Sequence, residues 1–232
     1  LATLFALSLG GCASPPGLEA VSEQGAAWNR FRGPNGTGVA AGAYPVEVGP
    51  HAKVIWARDF PSGQSSPVLS RQCVFLTGVE DERLFTYAID RSTGATLWRR
   101  EAPRPRRTRF HPHNHAAAAP PAVGGDSVGA FFHQYGLLAY DHEGQERWRL
   151  PLGPFDNVYG MGASPIIVGD VVVLACDQST ASFVLGVSKR TGEVRWRINR
   201  PPAVSGPCTP VVHPPAEGPA PVLPPGPAPP PP

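Results

Sequence analysis

The stretch Ala88-Ile89-Asp90-Arg91-Ser92-Thr93-Gly94-Ala95-Thr96-Leu97-Trp98 decides the fold of this chain, because its closing pattern recurs. A glycine is followed four residues later by a tryptophan at three places: Gly94 and Trp98, Gly144 and Trp148, and Gly192 and Trp196. The three tryptophans are 50 and 48 residues apart. That period is too long for repeats of helix pairs such as ankyrin, and it is close to that of four-stranded propeller blades, about 40–50 residues.

A second pattern repeats with the same period. Pro121, Pro165 and Pro210 each open an apolar run, and the first two runs reach a Gly-Asp pair at the same offset, Gly125-Asp126 and Gly169-Asp170. The Asp-x-x-Thr-Gly stretches place glycine where a turn needs a positive φ and give Asp and Thr local backbone partners. We therefore predict an all-β chain whose units, about 65–98, 119–148 and 163–196, are four-stranded antiparallel blades.

These residues resemble the pyrroloquinoline-quinone-like (PQQ-like) β-propeller repeat, whose blades share Ala-x-Asp-x-x-Thr-Gly-x-x-x-Trp. The first unit matches at Ala88, Asp90, Thr93, Gly94 and Trp98. The third unit has Gly and Ser for the Ala and Asp, and the second lacks the Thr. The resemblance covers about residues 28–213. It implies that the repeated tryptophans dock between blades, so a structural docking role is expected for Gly94, Trp98, Gly144, Trp148, Gly192 and Trp196.

The number of units predicts an incomplete propeller, because closure takes about 4–8 blades. Val54-Ile55-Trp56 resembles a lone outer strand, three units follow, and residues 208–212 begin a fourth. Residues 214–232 are almost entirely Pro, Ala and Gly and are expected to be polyproline-like or disordered. A truncated or frameshifted fragment is favoured over a natural proline-rich tail. Its two uncovered end sheets predict low stability or aggregation of the isolated chain.

The beginning of the chain is typical of an exported protein. Residues 1–12 read as a signal-peptide core without its Met and basic region, too short to cross a bilayer. Leu9-Gly10-Gly11-Cys12 resembles a bacterial lipobox, which makes Cys12 the expected lipidation site and residues 13–27 a tether. The resemblance implies an extracytoplasmic, periplasmic protein anchored in the outer membrane through its lipid. An ordinary cleaved signal and a buried strand remain alternatives.

Cysteine and charge give little functional information. Cys73, Cys176 and Cys208 have no Cys-x-x-Cys spacing, so neither a zinc ribbon nor a redox motif is indicated. The first two lie in apolar runs and are expected to be buried. A bridge between Cys176 and Cys208 stays open. The formal net charge of +2 indicates no particular partner.

One basic cluster exceeds this background, and it ends in histidines. Six arginines lie between Arg99 and Arg109, in what we expect to be a solvated loop. Nucleic-acid binding is not expected, because the chain looks exported and no aromatic residue interleaves the cluster. Contact with anionic lipid or lipopolysaccharide stays a minor alternative. His111, His113 and His115 are weak candidates for zinc or copper ligands, and a metal-free surface loop is favoured.

Catalytic motifs are absent from the sequence. It has no Gly-x-Ser-x-Gly elbow, no His-Glu-x-x-His pair and no phosphate-binding glycine loop with Lys. Quinoprotein dehydrogenases related to the family carry adjacent cysteines and a calcium site; here no cysteines are adjacent, and Asp156 and Asn157 are better explained by a turn. We predict a non-catalytic scaffold without a cofactor that binds proteins or peptides, resembling the scaffold lipoprotein of outer-membrane β-barrel assembly. The alternative is a fragment of a periplasmic dehydrogenase with PQQ and calcium.

Overall fold

The computed structural model describes residues 28–40, 42, 44–49, 52–203 and 208–213, and the backbone of 222–223. The signal, lipobox and tether predictions therefore lie outside the described residues. Within them the chain is built of strands, with one short 3-10 turn at Pro34–Gly36. The strands are β1 Val68–Leu69, β2 Cys73–Glu80, β3 Arg83–Asp90, β4 Thr96–Ala102, β5 Ala122–Gly124, β6 Ser127–Phe132, β7 Gly136–Tyr140, β8 Glu146–Pro151, β9 Ile166–Val168, β10 Val171–Cys176, β11 Phe183–Ser188, β12 Val194–Asn199, β13 Val211–Val212 and β14 Val222–Leu223.

The first twelve strands form three sheets of the same design. Each sheet is an antiparallel meander of four consecutive strands, β1 to β4, β5 to β8 and β9 to β12. The first strands of successive sheets are neighbours, since β1 contacts β5 and β5 contacts β9. In a propeller, four-stranded sheets are arranged around a central axis with their first strands side by side, so these sheets are its blades. The predicted all-β fold of three blades plus the start of a fourth, without closure, is confirmed.

The turns explain why the meander repeats. β5 and β9 start directly after Pro121 and Pro165, and each ends in a Gly-Asp turn whose glycine has positive φ, +59° at Gly125 and +57° at Gly169. At the Asp-x-x-Thr-Gly turn of the first blade, Asp90 Oδ1 accepts hydrogen bonds from the backbone N–H groups of Ser92 (2.9 Å) and Thr93 (2.8 Å). The Ser92 hydroxyl, which donates to the same oxygen at 2.6 Å, lowers the pKa of Asp90 most, and with the Thr93 bonds it brings that pKa to about 2.

The third and fourth strands of every blade share a bulge next to the tryptophan. The register shifts after Ala88, Ala139 and Gly186, and these residues lie opposite Trp98, Trp148 and Trp196. A bulge increases the local twist of the strand pair. The small residue opposite each indole leaves room for the ring, and at Gly186 an added Cβ would overlap the Trp196 ring.

The ends of the array differ from the full blades. β13 begins a fourth unit and pairs with β14, which lies in the proline-rich segment. The segment Val54-Ile55-Trp56 belongs to no strand, although Trp56 packs against the first sheet. Among the described residues no helix is long and apolar enough to span a bilayer.

Residues 28–35 form hydrogen bonds with the first strands of several units. Trp28 C=O accepts from Leu69 N–H (2.7 Å), and Asn29 C=O accepts from Val123 N–H (2.8 Å). The Asn35 side chain pairs with the backbone of Val212, accepting at 2.8 Å and donating at 2.6 Å. This segment thus bonds to the first strands of the first, second and fourth units.

One ion pair is largely buried, in the third blade. Arg200 Nη1 lies 2.5 Å from Asp177 Oδ1, and the two side chains are 11% and 3% exposed. Arg200 follows β12 and Asp177 follows β10, so the ion pair joins the end of the blade to the turn between β10 and β11.

Asp177→Asn should lower the free energy of unfolding by about 3 kcal/mol, because it removes one charge of a buried ion pair. Denaturant unfolding followed by far-UV circular dichroism measures the loss. The matched control is Asp170→Asn, which removes the exposed pair with Arg195 (2.6 Å) and should cost about 0–1 kcal/mol. Equal losses in the two variants would contradict the assignment.

Candidate functional site

Two of the three repeated tryptophans, Trp98 and Trp148, lie between blades, each against a glycine of the next blade. An added Cβ on Gly144 would lie 2.7 Å from the Trp98 ring, and one on Gly192 would lie 2.7 Å from the Trp148 ring. Each indole also donates to the turn that carries this glycine: Trp98 Nε1 to His142 C=O (2.7 Å) and Trp148 Nε1 to Lys189 C=O (2.8 Å). Both rings are buried.

Trp56 makes the same contact with the first blade. Its ring covers Gly94, where an added Cβ would lie 2.6 Å away, and its Nε1 donates to Arg91 C=O (2.8 Å). The Gly-to-Trp pattern missed it, because Ala52 stands four residues earlier. Trp196 is half-buried at the far end of the array, and within the described residues no glycine of a following blade lies against it.

A Trp-x-Arg pattern would have revealed Trp56. Arg58 donates to Gly94 C=O (2.8 Å), and Arg100 donates to Gly144 C=O (2.6 Å). The arginine two residues after each tryptophan therefore hydrogen-bonds to the glycine that the same tryptophan covers. At the next position of this kind the chain has Leu150 instead.

The sequence predicted a solvated loop for the basic cluster, but two of its arginines are hydrogen-bonded to neighbouring segments. Arg104 donates to Gln134 Oε1 (2.5 Å) and to Glu82 C=O, so it joins the central turns of the first two blades. Arg106 donates to the carbonyls of Tyr135 and Leu152. Since these guanidinium groups satisfy backbone and amide acceptors, they fix the loop between the blades.

The three candidate histidines do not converge on one point. The His115 ring lies 3.1 Å from Ser62 Oγ, and burial followed by the charge of Arg104 lowers its pKa. The His111 ring lies between those of His113 and Tyr159, tilted by 40° and 50° to them, with centroids 5.2 and 4.9 Å away. No group of three or more metal-ligating side chains occurs in the described ranges.

A buried histidine that the sequence did not single out lies beneath this surface. His133 Nδ1 accepts from Met161 N–H (3.0 Å), and its ring contacts Phe110 and Phe155. Burial, and then the charge of Arg106, lowers the pKa of His133 to about 4. The imidazole is therefore neutral at physiological pH, carries its proton on Nε2, and anchors the loop of residues 152–165.

That loop is held at several further points. Asp156 N–H donates to Gln178 Oε1 (2.9 Å), and Asn157 Nδ2 donates to Asp177 C=O (3.1 Å). Asn157 Oδ1 accepts from Tyr159 N–H (3.0 Å), which is the turn contact of an Asx motif. Asn157, considered above as a calcium ligand, is thus engaged in shaping the loop.

The residues present do not fit a quinone with calcium. Three tryptophans that offer flat rings, Trp56, Trp98 and Trp148, are committed to docking between blades. Asn157 uses its amide oxygen within the loop and its amide nitrogen on Asp177 C=O. Cys73, Cys176 and Cys208 are free thiols, and burial raises the pKa of Cys73 and Cys176. No chemical step through such a group follows from this arrangement.

The family is established by a match over most of the repeat region. A family model described as outer membrane protein assembly factor BamB matches residues 48–197, more than half of the chain. The chain therefore belongs to this family of PQQ-like propeller proteins, as the repeat pattern predicted. No curated protein matches it.

Two solved structures are similar to the chain, and the first of them supports the fold. A quinohemoprotein alcohol dehydrogenase from Pseudomonas putida aligns with a TM-score of 0.55 and 16% identity, over 82% of this chain and 29% of that one. BamB from Moraxella catarrhalis aligns with a TM-score of 0.40 and 17% identity, over 65% of this chain and 52% of that one. The chain thus spans less than two thirds of the length of either protein.

Proposed function

We propose that this chain is part of a non-catalytic, extracytoplasmic propeller that binds protein or peptide partners. The observation that carries the proposal is that Trp98, Trp148 and Asn157 make structural hydrogen bonds. A cofactor site would require such flat rings and amide groups, and here they hold blades and loops together. The same bonds produce a rigid face of loops, and rigid scaffolds that present loops are typical of binding proteins.

The position of this face follows from the meander. In each blade the loop to the next blade and the turn between second and third strands lie at the same end of the sheet. Residues 103–121 and 152–165 therefore share one face with the turns at Asp81 and Gln134. The arginine bonds described above connect these loops and turns, so partner binding here requires little ordering.

Membership in the BamB family supports a protein partner over a small-molecule substrate. The quinoprotein dehydrogenases share the fold, and fold alone does not decide function. Nucleic acid is not a proposed partner, since Arg104 and Arg106 of the basic cluster are engaged within the chain.

Titration of the purified chain with pyrroloquinoline quinone and calcium, followed by an assay of dye reduction with alcohols and sugars, separates the two functions. We expect neither saturable binding nor substrate-dependent reduction. Saturable binding together with dye reduction would establish the dehydrogenase alternative and contradict the scaffold. A quinoprotein alcohol dehydrogenase that receives the same quinone and calcium serves as the positive control.

We further propose that Cys12 carries a lipid that anchors the chain to the outer membrane. In a bacterial host supplied with a start codon and a basic n-region, Cys12→Ala should abolish incorporation of labelled palmitate, because the Cys12 sulfur is the proposed attachment atom of the lipid. Cys208→Ala is the matched control, because Cys208 is an exposed cysteine of the described residues, and this variant should leave labelling unchanged. Persistent labelling of the Cys12 variant would refute the lipidation site.

A further inference from the structure

We propose that Val158 and Tyr159, with His111 and His113, form a docking surface for an acidic, extended segment of a partner protein. We call these four residues the Tyr159 surface. The inference rests on the proposed function and specifies where the partner binds and what chemistry it has. The two parts of the surface belong to the loops that lead into the second and third blades.

The exposed apolar groups are held rigidly. Val158 is 70% and Tyr159 is 47% exposed. The backbone of Tyr159 is nevertheless bonded on both sides, because its N–H donates to Asn157 Oδ1 (3.0 Å) and its C=O accepts from Asn114 Nδ2 (2.6 Å). The next residue, Gly160, packs against the Phe110 ring, where an added Cβ would lie 2.6 Å away. A partner therefore meets apolar side chains whose backbone is already ordered.

The rings make a continuous surface across the two loops. The Tyr159 ring contacts that of His111, and the His111 ring that of His113, in tilted arrangements at centroid distances of 4.9 and 5.2 Å. Alternate side chains on one face of an extended strand are about 6.6 Å apart, so successive ones can contact neighbouring rings. Tyrosine is enriched among the residues that dominate binding energy at interfaces.

The local charge favours an acidic partner. The loop of residues 103–121 contains four arginines and no carboxylate, and residues 152–165 contain a single carboxylate, Asp156. Arg104, Arg106 and Arg107 are engaged with neighbouring turns. In the described part of the chain Arg109, two residues before His111, is exposed and has no ion pair or hydrogen bond. Its charge complements a carboxylate beside an apolar side chain.

An anionic membrane fits these observations less well. A basic residue near an anionic bilayer contributes about 1 kcal/mol, and stable attachment needs several of them. With three of the four arginines engaged in internal bonds, the surface offers too little free charge for a membrane. One free guanidinium beside an aromatic patch matches a peptide instead.

Fluorescence anisotropy of a labelled peptide tests the proposal with the full chain. The probe is an extended peptide of about eight residues that alternates Asp or Glu with Phe or Leu. Its counterpart carries Lys in place of the acidic residues, and phosphatidylglycerol vesicles form a third arm. We expect the acidic peptide alone to bind saturably. Tyr159→Ser should weaken binding about tenfold, Tyr159→Phe should retain it, and Arg109→Glu should weaken it and reduce its salt dependence.

Two variants away from the surface serve as controls. Leu97→Ser removes an apolar side chain that is 53% exposed on β4, and Arg190→Glu reverses a charge on the turn between β11 and β12, on the opposite face. Both should change affinity by less than about twofold. Far-UV circular dichroism verifies that each variant is folded.

The outcomes separate this inference from the proposed function. If the acidic peptide binds saturably and neither Tyr159→Ser nor Arg109→Glu changes its affinity, the Tyr159 surface is wrong. The proposed binding function would then still stand. Preference for the basic peptide or for vesicles would overturn the acidic partner. Failure of both peptides to bind would count against the proposed function as well.

Discussion

Gly144→Ala is expected to lower the free energy of unfolding by about 3 kcal/mol. Gly144 has φ +81°, which costs an L side chain about 1–2 kcal/mol. The added Cβ would also lie 2.7 Å from the Trp98 ring, and moving that packed ring costs a further 1–3 kcal/mol, roughly. Denaturant unfolding followed by far-UV circular dichroism measures the total.

Gly169→Ala is the matched control for this variant. Gly169 also has positive φ, +57°, but an added Cβ would meet nothing within 4 Å. Only the backbone cost of about 1–2 kcal/mol should remain. If both variants lost the same stability, the Trp98 contact with Gly144 would contribute nothing, and docking between blades would be refuted.

Trp148→Ala is expected to have the largest effect, a loss of about 4 kcal/mol. The ring is 8% exposed, covers Gly192, and donates to Lys189 C=O at 2.8 Å. Since small domains are stable by about 5–15 kcal/mol, this loss removes a large part of the total stability. Thermal unfolding monitored by circular dichroism measures the change.

Two further substitutions identify the cause of that loss. Trp148→Phe keeps an aromatic ring but removes the indole donor, so it should lose about 1–2 kcal/mol. Trp196→Ala should lose much less than Trp148→Ala, because Trp196 is only half-buried and no following glycine lies against it in the described residues. A loss at Trp196 as large as that at Trp148 would contradict the assigned order of docking.

The sequence was sufficient to predict the four-stranded repeat. The patterns that specify it are local: a proline before the first strand, Gly-Asp at the first turn, and a glycine four residues before the tryptophan. Local turn chemistry and strand propensity act over the same few residues, so a single sequence contains them. The direction of docking, from each tryptophan to the following blade, is not specified by spacing within one unit.

The contacts that shape the candidate site are long-range and were not predicted. Asn35 pairs with the backbone of Val212, which is 177 residues away, and no spacing in the sequence links the two residues. The same holds for Arg104, whose guanidinium reaches turns of two blades, and for His133, whose burial depends on the neighbouring loop. Residue type predicted a solvated basic loop, because the backbone acceptors that engage these arginines carry no sequence signal.

Val158 and Tyr159 lie in a glycine-rich segment, and the sequence did not indicate whether their side chains are exposed. Apolar residues in a glycine-rich stretch are consistent with either a buried or an exposed position. The deciding contacts come from Asn114 and His133 on other segments, which hold the loop and leave Tyr159 outside.

Hydrogen exchange of the indole N–H groups, recorded residue by residue by nuclear magnetic resonance, tests the docking arrangement most directly. The account predicts slow exchange at Trp98 and Trp148, whose buried indoles donate to His142 and Lys189, and fast exchange at Trp196. Exchange slows when an N–H is bonded and excluded from water. Fast exchange at Trp98 and Trp148, at rates equal to that of Trp196, would contradict the propeller docking on which the proposed function rests.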